Sequence, residues 1–479
     1  MKIIIILLMF AAAGTLNAQG GSIGASDARS AAMGKTYTSS SRGVYAIGIN
    51  PANLTMSEDN HLEISSLLPL PNVNFRMGTD FMSIDEYNYF FGGVTDERGN
   101  KVGRYLTQSD KKRLMELFKD GGLVFSDMNI PLFSMTFTAN KNTGAFGFSI
   151  YDAVSMKVNL PDDLVSLALS GDSAGSTYDF RETEIKGSWI RNYALSYARS
   201  LKEIAPSFLR DLSAGISLKM VHGFAYAGTE KTDASLSIGN SNVITQRTDY
   251  STLSAFSPDF GIEYDFDRTE TQKNFAKTPF PSPAGKGFGV DLGIAGVVND
   301  YLSFGMSVTD IGKITWNKNT ARYFSDTSYV LTGVANENEL DTLIDRMKAK
   351  GGYTGEFTTG LATALRFGVS LRLDEAPFGS FIPGQMLVTL DYNQGLNNEP
   401  RNTTKPRVSL GTEWKPMNWI PYIRTGISIG GLDGFSWALG LGFNTGPIEF
   451  NFATSDMNQL VYGNSGKRVS VSLGSRWRF

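Results

Sequence analysis

The last segment of the chain, from Val469 to Phe479, alternates between large apolar side chains and small or charged ones. The apolar members of this alternation are Val469, Val471, Leu473, Trp477 and Phe479. Because successive side chains of a strand point to opposite faces, the pattern indicates a β-strand with one apolar and one polar face.

The same alternation recurs upstream, for example in segments 286–297, 301–317 and 434–444. The polar faces carry many charges opposite large apolar residues, which the core of a soluble sandwich would not accept. The lumen of a membrane-spanning barrel, filled by water or by a plug, does accept them. The residues predicted to face such a lumen are Asp291, Arg366, Arg407, Glu413, Glu449 and Arg476.

About fourteen strand-like segments lie between residues 60 and 479, an even number, as single-chain bacterial barrels require. Their connections alternate between short turns and long insertions, which is typical of periplasmic turns and extracellular loops. Segment 249–266 also has a strand pattern, but an extra crossing would break the even number. We therefore assign 249–266 to an extracellular hairpin extension and predict an all-β fold, an antiparallel transmembrane β-barrel.

Some of the long loops contain helical patterns, so we expect helix-containing extracellular loops. A helix is predicted from Ser109 to Lys119, and a shorter one from Asp162 to Leu169. A third pattern spans residues 340–347. The apolar faces of the first and third are Leu114, Leu117 and Phe118, and Leu340, Leu343, Ile344 and Met347. These faces form either a capture surface for a lipophilic molecule or protein, or a surface that packs against the barrel rim.

The first residues predict export. Lys2 precedes the apolar run Ile3–Ala13, and Leu16-Asn17-Ala18 offers a small-residue cleavage site, so residues 1–18 have the pattern of a signal peptide. The run is too short to cross a bilayer core of ~30 Å as a helix. Beyond it, no stretch reaches the ~18 apolar residues of a transmembrane helix.

Composition narrows the function. Glycine is abundant at 51 residues, aromatic residues reach 12%, and charged residues are only 19%, which suits a barrel better than soluble domains. The absence of cysteine excludes disulfides and thiol chemistry, and a net charge of -3 offers no footprint for nucleic acid. With only His61 and His222, and no metal or phosphate motif, we predict no enzyme activity, no cofactor and no metal site.

Residues 20–60 are too irregular for a strand pair and contain Ala28-Arg-Ser-Ala-Ala-Met-Gly34 and Asn50-Pro51-Ala52. This segment resembles the N-terminal hatch of the FadL-like family, the long-chain fatty acid transporters and their relatives. The resemblance implies a hatch over residues 19–59 and an outer-membrane barrel over 60–479. It makes Asn50-Pro51-Ala52 a candidate gating hinge; the alternative is a simple turn.

Two further sequence resemblances suggest which proteins this chain interacts with. Trp477 and Phe479 on a terminal strand resemble the signal read by the outer-membrane barrel assembly machinery. Gly287–Gly293 and Leu302–Trp316 resemble a strand pair of the PorV-like branch, which serves type IX secretion.

Two functions follow from these patterns for a barrel of a Gram-negative outer membrane. The first is passive, hatch-gated uptake of hydrophobic small molecules. The alternative is a PorV-like subunit that binds or shuttles a secreted or envelope protein. Within the lumen, Arg366, Arg407 and Arg476 either bind a carboxylate head group or belong to a salt-bridge network. Arg29 and Arg42 of the hatch are expected to meet charges on the wall.

Overall fold

The computed structural model describes residues 27–56, 61–68, 72–140, 143–170, 175–239, 243–262, 264, 266, 278–331 and 350–479. The predicted signal peptide (1–18) and the predicted apolar face at Leu340, Leu343, Ile344 and Met347 lie outside the described residues.

The described chain is mostly strand. In chain order the strands are β1 Leu62–Ser66, β2 Val73–Thr79, β3 Val94–Thr95, β4 Lys101–Val102, β5 Gly122–Asn140, β6 Gly144–Leu160, β7 Thr177–Asp179, β8 Glu184–Ser200, β9 Asp211–Ile238, β10 Ile244–Phe256, β11 Gly285–Val297, β12 Leu302–Trp316, β13 Thr320–Leu331, β14 Lys350–Tyr353, β15 Phe357–Gly360, β16 Ala364–Arg372, β17 Gln385–Gly395, β18 Pro406–Lys415, β19 Tyr422–Gly430, β20 Phe435–Asn444, β21 Ile448–Thr454 and β22 Arg468–Arg478.

Helices are few and short. The α-helices are α1 Ala28–Ala32, α2 Ile84–Phe91, α3 Gln108–Leu117, α4 Asp162–Ser170 and α5 Asn458–Tyr462. The 3-10 segments are Gly43–Ala46, Pro51–Met56, Lys202–Ile204, Pro258–Phe260, Leu373–Glu375, Gly431–Asp433 and Gly463–Ser465. Among the described helices, none combines the length and apolarity needed to cross a membrane, a finding that does not bear on crossing by strands.

The strands close into a ring. β1 and β2 each pair with both β5 and β22, so they are two halves of one wall strand. β15 and β16 likewise both pair with β12. Counted in this way, the described residues form a closed antiparallel barrel of 14 wall strands, which confirms the predicted fold class.

The two ends of the barrel differ. One end, here called the turn end, carries the shorter connections that follow β5, β8, β11, β16, β18 and β20. The opposite end, here called the loop end, carries the long connections after β2, β6, β9 and β12 and the shorter ones after β17, β19 and β21.

An extension sheet rises from the loop end. The second half of β9 pairs with β10, β10 pairs with β13, and β13 pairs with β14, above the level at which β9 pairs with β11. β10 covers the first part of segment 249–266. It lies in this extension and not in the wall, as the parity argument predicted.

The loop helices pack on one another. α3 begins one residue earlier and ends two residues earlier than predicted, because Thr107 and Asp110 form a capping box and Phe118 already leaves the helix. Leu114 and Phe118 are buried in a cluster with Phe81 and Phe90, and Leu117 packs against its edge. The face at Leu114, Leu117 and Phe118 is therefore covered by loop residues in this structure, and its predicted role in capture stays a prediction.

Side-chain direction follows the predicted parity. Leu292, Leu410 and Phe452 on the outer face are between 43% and 49% exposed, whereas the inward Asp291 and Ser428 are 0% exposed. The outer face thus offers an apolar band to lipid, and the inner face is polar.

We expect Leu410→Arg to weaken the barrel by about 2–4 kcal/mol, the cost of a basic residue on the lipid face near mid-bilayer. The measurement is reversible urea unfolding of the protein in lipid vesicles. Ser328→Arg, on the exposed extension strand β13, is the matched control and should change the free energy of unfolding by no more than about 0.5 kcal/mol. Equal effects of the two substitutions would contradict the assigned lipid face.

Candidate functional site: the hatch and the lumen cavities

Residues 27–56, here called the hatch, lie inside the ring. α1 packs against β19, β20, β21 and β22, and segment Pro51–Met56 packs against β8, β9 and β11 on the other side. Nearly every hatch residue is buried. The hatch therefore fills the lumen from wall to wall.

Buried ion pairs join one side of the hatch to the wall. Arg29 donates two bonds to Glu413, at 2.8 and 2.7 Å, and Glu413 also accepts from Arg424 Nε. Arg476 donates to Glu449 at 2.8 Å and to Glu63 at 3.2 Å. Three arginines thus meet three glutamates in one network.

This network brings together three of the predicted lumen residues, Glu413, Glu449 and Arg476. Arg476 is held there by two glutamates, which fits the salt-bridge alternative and not a carboxylate-binding site. Glu63 and Arg424 were not singled out in the sequence, although both lie on the polar parity of their strands.

Wall carboxylates also satisfy the hatch backbone. Asp391 accepts bonds from the backbone N–H groups of Tyr37 and Thr38, both at 2.8 Å, and Glu63 accepts from Val44 N at 3.1 Å. A buried N–H group needs an acceptor, and at these three positions the wall carboxylates supply it.

The opposite side of the hatch is held by neutral bonds. Asn50 donates through Nδ2 to Thr38 O at 3.2 Å and to the wall carbonyl of Ile294 at 3.0 Å. Its Oδ1 accepts from Ala52 N at 3.2 Å, which fixes the turn at Pro51. Ser307 of wall strand β12 donates to the backbone carbonyl of the hatch residue Ile49 at 2.6 Å. The structure therefore places Asn50-Pro51-Ala52 at the hatch–wall contact with β11; its gating role stays a prediction.

Inward-facing glycines make room for the hatch. A Cβ at Gly293 would lie 2.0 Å from Asn50 Oδ1, and one at Gly426 would lie 2.2 Å from the carbonyl carbon of Met33. The same close approach, between 2.2 and 2.9 Å, occurs at Gly215, Gly305, Gly368, Gly411 and Gly440. Much of the glycine content of the wall is explained by this contact, since any larger residue would push the hatch away.

The remaining predicted lumen residues lie nearer the loop end. Asp291 is paired with Lys219 at 2.7 Å, and Lys219 also pairs with Asp310 at 2.7 Å. Arg366 lines the cavity beside this cluster, and Arg407 is buried on β18. The structure thus divides the predicted lumen residues between a hatch network and a second cluster above the hatch.

Two β-bulges reverse the side-chain parity of the wall. Asp291 of β11 lies opposite both Thr309 and Asp310 of β12, and Asp310 has a left-handed φ of 57°. On β9 the register shifts at Phe224. Because a one-residue shift exchanges the two faces, the residues that follow turn inward where simple alternation places them outward.

The bulges bring two aromatic residues inside. Trp316 is fully buried, its ring centroid lies 5.4 Å from that of Tyr226, and its indole N–H donates to Thr359 at 2.9 Å. Sequence reasoning missed this pair, because strict alternation from Leu302 or Asp211 does not carry through a bulge. A buried indole with one polar partner is the usual way to place tryptophan at an apolar site.

Two neighbouring cavities lie above the hatch. The lumen cavity is bounded by hatch residues Val44, Tyr45, Ile47 and Ile49. The aromatic cavity is lined by Ile190, Tyr226, Ile314, Trp316 and Leu361, with polar residues between them. The two share a polar neck formed by Tyr151, Asp310, Ala362 and Arg401.

A third cavity lies on the far side of the hatch. It is lined by the hatch residues Arg29, Ser40, Arg42 and Met56 together with turn-end residues of the wall. The hatch is therefore the partition between the loop-end cavities and the turn-end cavity.

These features define a class of protein, a plugged barrel with a mixed apolar and polar chamber at its loop end. The chain belongs to DUF5723, a family of unknown function, whose model matches residues 51–456. No protein of curated function matches it in sequence.

Solved structures of two toluene transporters and a FadL homologue are similar to it. The toluene transporter TbuX of Ralstonia pickettii is 13% identical over 97% of this chain and 99% of its own, with a TM-score of 0.44. A FadL homologue of Pseudomonas aeruginosa is 11% identical over 96% and 100%, with a TM-score of 0.43. The toluene transporter TodX of Pseudomonas putida is 12% identical over 95% and 98%, with a TM-score of 0.40.

We expect Gly426→Ala to loosen the hatch, because its methyl group would overlap the backbone of Met33 and overpacking costs about 1–3 kcal/mol. Trypsin cleavage after Arg42, followed by mass spectrometry of the digest, should become faster. Gly352→Ala is the control, since nothing lies within 4 Å of the added methyl there. The same cleavage rate in both variants would contradict the close fit of the hatch.

We expect Glu413→Gln to destabilise the protein by about 3–5 kcal/mol, because it leaves Arg29 and Arg424 buried with a partner removed. Arg29→Met added to Glu413→Gln should restore part of the loss, with a coupling of about 0.5–3 kcal/mol in a double-mutant cycle of unfolding free energies. Glu375→Gln, in an exposed pair with Arg372, should cost less than about 1 kcal/mol. Additive effects of the two buried substitutions would refute the proposed network.

Proposed function

We propose that the protein is an outer-membrane barrel that takes up small molecules with an apolar body. The observation that supports this is the aromatic cavity at the loop end, which shares the residues of the neck with the lumen cavity directly above the hatch. A pocket with apolar walls and a few polar groups is the usual form of a small-molecule site. The binding site is thus proposed in the aromatic cavity and not at the covered face of α3.

Burial of apolar surface drives entry. A ligand leaving water for the walls formed by Tyr226, Ile314 and Trp316 gains roughly 25 cal/mol for each Å² of apolar surface removed from water. The outward apolar band and the export pattern of residues 1–18 support a Gram-negative outer membrane as the location. The terminal strand supports insertion by the barrel assembly machinery, since Phe479 exchanges backbone bonds with Leu62 where the ring closes.

Passage beyond the lumen cavity requires movement of the hatch, and the two sides of the hatch resist it unequally. On the Asn50 side, neutral hydrogen bonds hold it, each with a net stabilisation of about 1 kcal/mol. On the Arg29 side, separating buried ion pairs exposes unpaired charges at several kcal/mol each. We therefore propose that the Asn50 side swings away from β11 while Arg29 remains anchored.

We expect Ala362→Phe to abolish binding of 2-naphthamide, because the new ring fills the neck between the two cavities. Binding is measured by quenching of tryptophan fluorescence in lipid nanodiscs, and uptake in whole cells. Ser328→Phe on the exposed face of β13 is the matched control and should leave both unchanged. Wild-type affinity in Ala362→Phe would rule out the proposed route through the neck.

The extension sheet favours a second candidate, the PorV-like protein-binding role. It projects past the rim and carries an aromatic cluster in which Tyr264 and Phe266 stack 5.6 Å apart beside Tyr323 and Tyr353. Native mass spectrometry after mild extraction distinguishes the candidates. A retained small lipophile supports uptake, whereas a retained protein on an empty barrel supports the second role.

A further inference from the structure

Three charged side chains meet inside the wall where β9, β11 and β12 lie side by side. Lys219 of β9 reaches both Asp291 of β11 and Asp310 of β12, and its Nζ atom lies 2.7 Å from one oxygen of each carboxylate. In the β9–β11 register Lys219 lies opposite Gly289. Asp291 is therefore its diagonal neighbour on the inward face, within reach of a long side chain. We call Lys219, Asp291 and Asp310 the lysine triad.

Two members of the lysine triad are closed off from water, and the third is not. The side chains of Lys219 and Asp291 are 0% exposed. The side chain of Asp310 is 26% exposed, and this residue lines both the lumen cavity and the aromatic cavity. Arg366 of the lumen cavity also interacts with Asp310, so several charges lie close together. Because buried charges are costly, a change that removes one charge of each sign lowers this cost and keeps the balance.

The two oxygens of the Asp291 carboxylate have different surroundings. Oδ1 accepts from the backbone N–H group of Asp310 at 2.7 Å and also contacts Lys219 Nζ. Oδ2 is buried and has no hydrogen-bond partner among the residues that the structure describes. A buried acceptor without a partner destabilises the fold. Loss of this one oxygen would therefore relieve the site.

Asp310 is placed to assist an attack on Asp291. It has a left-handed φ of 57° at the bulge, and its carbonyl accepts from Thr363 Oγ1 at 2.7 Å, so its backbone is held on both sides. Its N–H group stabilises the negative charge that develops on Asp291 Oδ1 when the adjacent carbon Cγ is attacked. Its carboxylate accepts a hydrogen bond from Lys219 Nζ at 2.7 Å, which is the position of a general base.

We propose that Lys219 and Asp291 condense to a side-chain amide, an isopeptide bond that joins β9 to β11. Proton transfer from the ammonium group to the Asp291 carboxylate first gives a neutral amine and a neutral acid. The amine nitrogen then attacks Cγ of Asp291, Asp310 carries a proton from this nitrogen to Oδ2, and Oδ2 leaves as water. One C–N bond forms and one C–O bond breaks, so the step needs no oxidant, reductant or further reactant.

The product leaves each polar atom of the new amide with a partner. The amide oxygen, formerly Oδ1, keeps the bond from the Asp310 N–H group, and the amide N–H group donates to the Asp310 carboxylate. Two buried charges and the unpaired oxygen are removed, while Asp310 keeps its charge at the cavity. The bond closes a covalent ring over residues 219–291, which include the part of β9 that rises into the extension sheet. It thus fixes the base of that sheet to the wall, independently of the proposed function.

The test is mass spectrometry of the intact protein extracted from the membrane in which it is expressed. The wild-type protein should be lighter by one water molecule than the Lys219→Arg variant predicts once the substitution is allowed for, because a guanidinium stays protonated and does not condense. A trypsin digest should lack cleavage after Lys219 and contain a branched peptide that joins Lys219 to Asp291. Lys157, whose ion pair with Glu184 is partly exposed, is the internal control and should form no branch.

Asp310→Asn tests the chemistry while keeping the left-handed backbone, which asparagine tolerates. It removes the proton carrier and should retain the mass of the uncondensed chain, with circular dichroism showing that the barrel is folded. Condensation of this variant to the wild-type extent overturns the role of Asp310. A wild-type protein of uncondensed mass overturns the isopeptide bond itself and leaves the lysine triad as an ion pair, whether or not either variant folds.

Discussion

The interior of this barrel depends on one requirement, that a polar and irregular segment enclosed by a wall must find a partner for each buried backbone and charged group. Residues 27–56 form only short helical segments, and buried N–H groups between those segments, such as those of Tyr37 and Thr38, need acceptors from outside. The wall supplies those partners, with Asp391 for the Tyr37 and Thr38 amides and Glu413 for the Arg29 guanidinium. The charged inner face, which a soluble core would not tolerate, is thus the structural complement of the hatch.

Close packing imposes a second condition on the same contact. Bonds of 2.6–3.1 Å between the hatch and wall form only where the two backbones approach each other, and the inward glycines permit this approach. Glycine weakens an isolated strand. Its frequency on these strands is therefore explained by the hatch that packs against their inner face. Along the wall strands, apolar residues therefore alternate with small ones because one face contacts lipid and the other contacts the hatch.

The sequence predicts this fold well because both of its signals are local. Alternation assigns each residue of a strand to one face, and loop lengths assign each connection to one end. The barrel, the lumen position of Asp291 and the extension around β10 can therefore all be predicted from the sequence.

What sequence reasoning misses depends on non-local contacts or on register. Arg29 and Glu413 are 384 positions apart, and no pattern pairs them. Trp316 and Tyr226 turn inward only after bulges at Asp310 and Phe224. The burial of Leu114 depends on α2, whose Ser83–Glu86 capping box was present in the sequence but unused.

The bulges connect the fold with the proposed function. Without the shift at Asp310, the strand would present Ile314 and Trp316 to lipid, and the aromatic cavity would lose two of its apolar wall residues. With it, the same strand contributes a neutral anchor for the hatch at Ser307, a charged neck at Asp310 and an apolar wall at Trp316, in that order from the turn end to the loop end. A ligand in the chamber therefore contacts the strand to which the weaker side of the hatch is bound. Asp310 is three residues from the Ser307 contact, so in the proposed function a change that the ligand makes at Asp310 has a short physical route to the hatch.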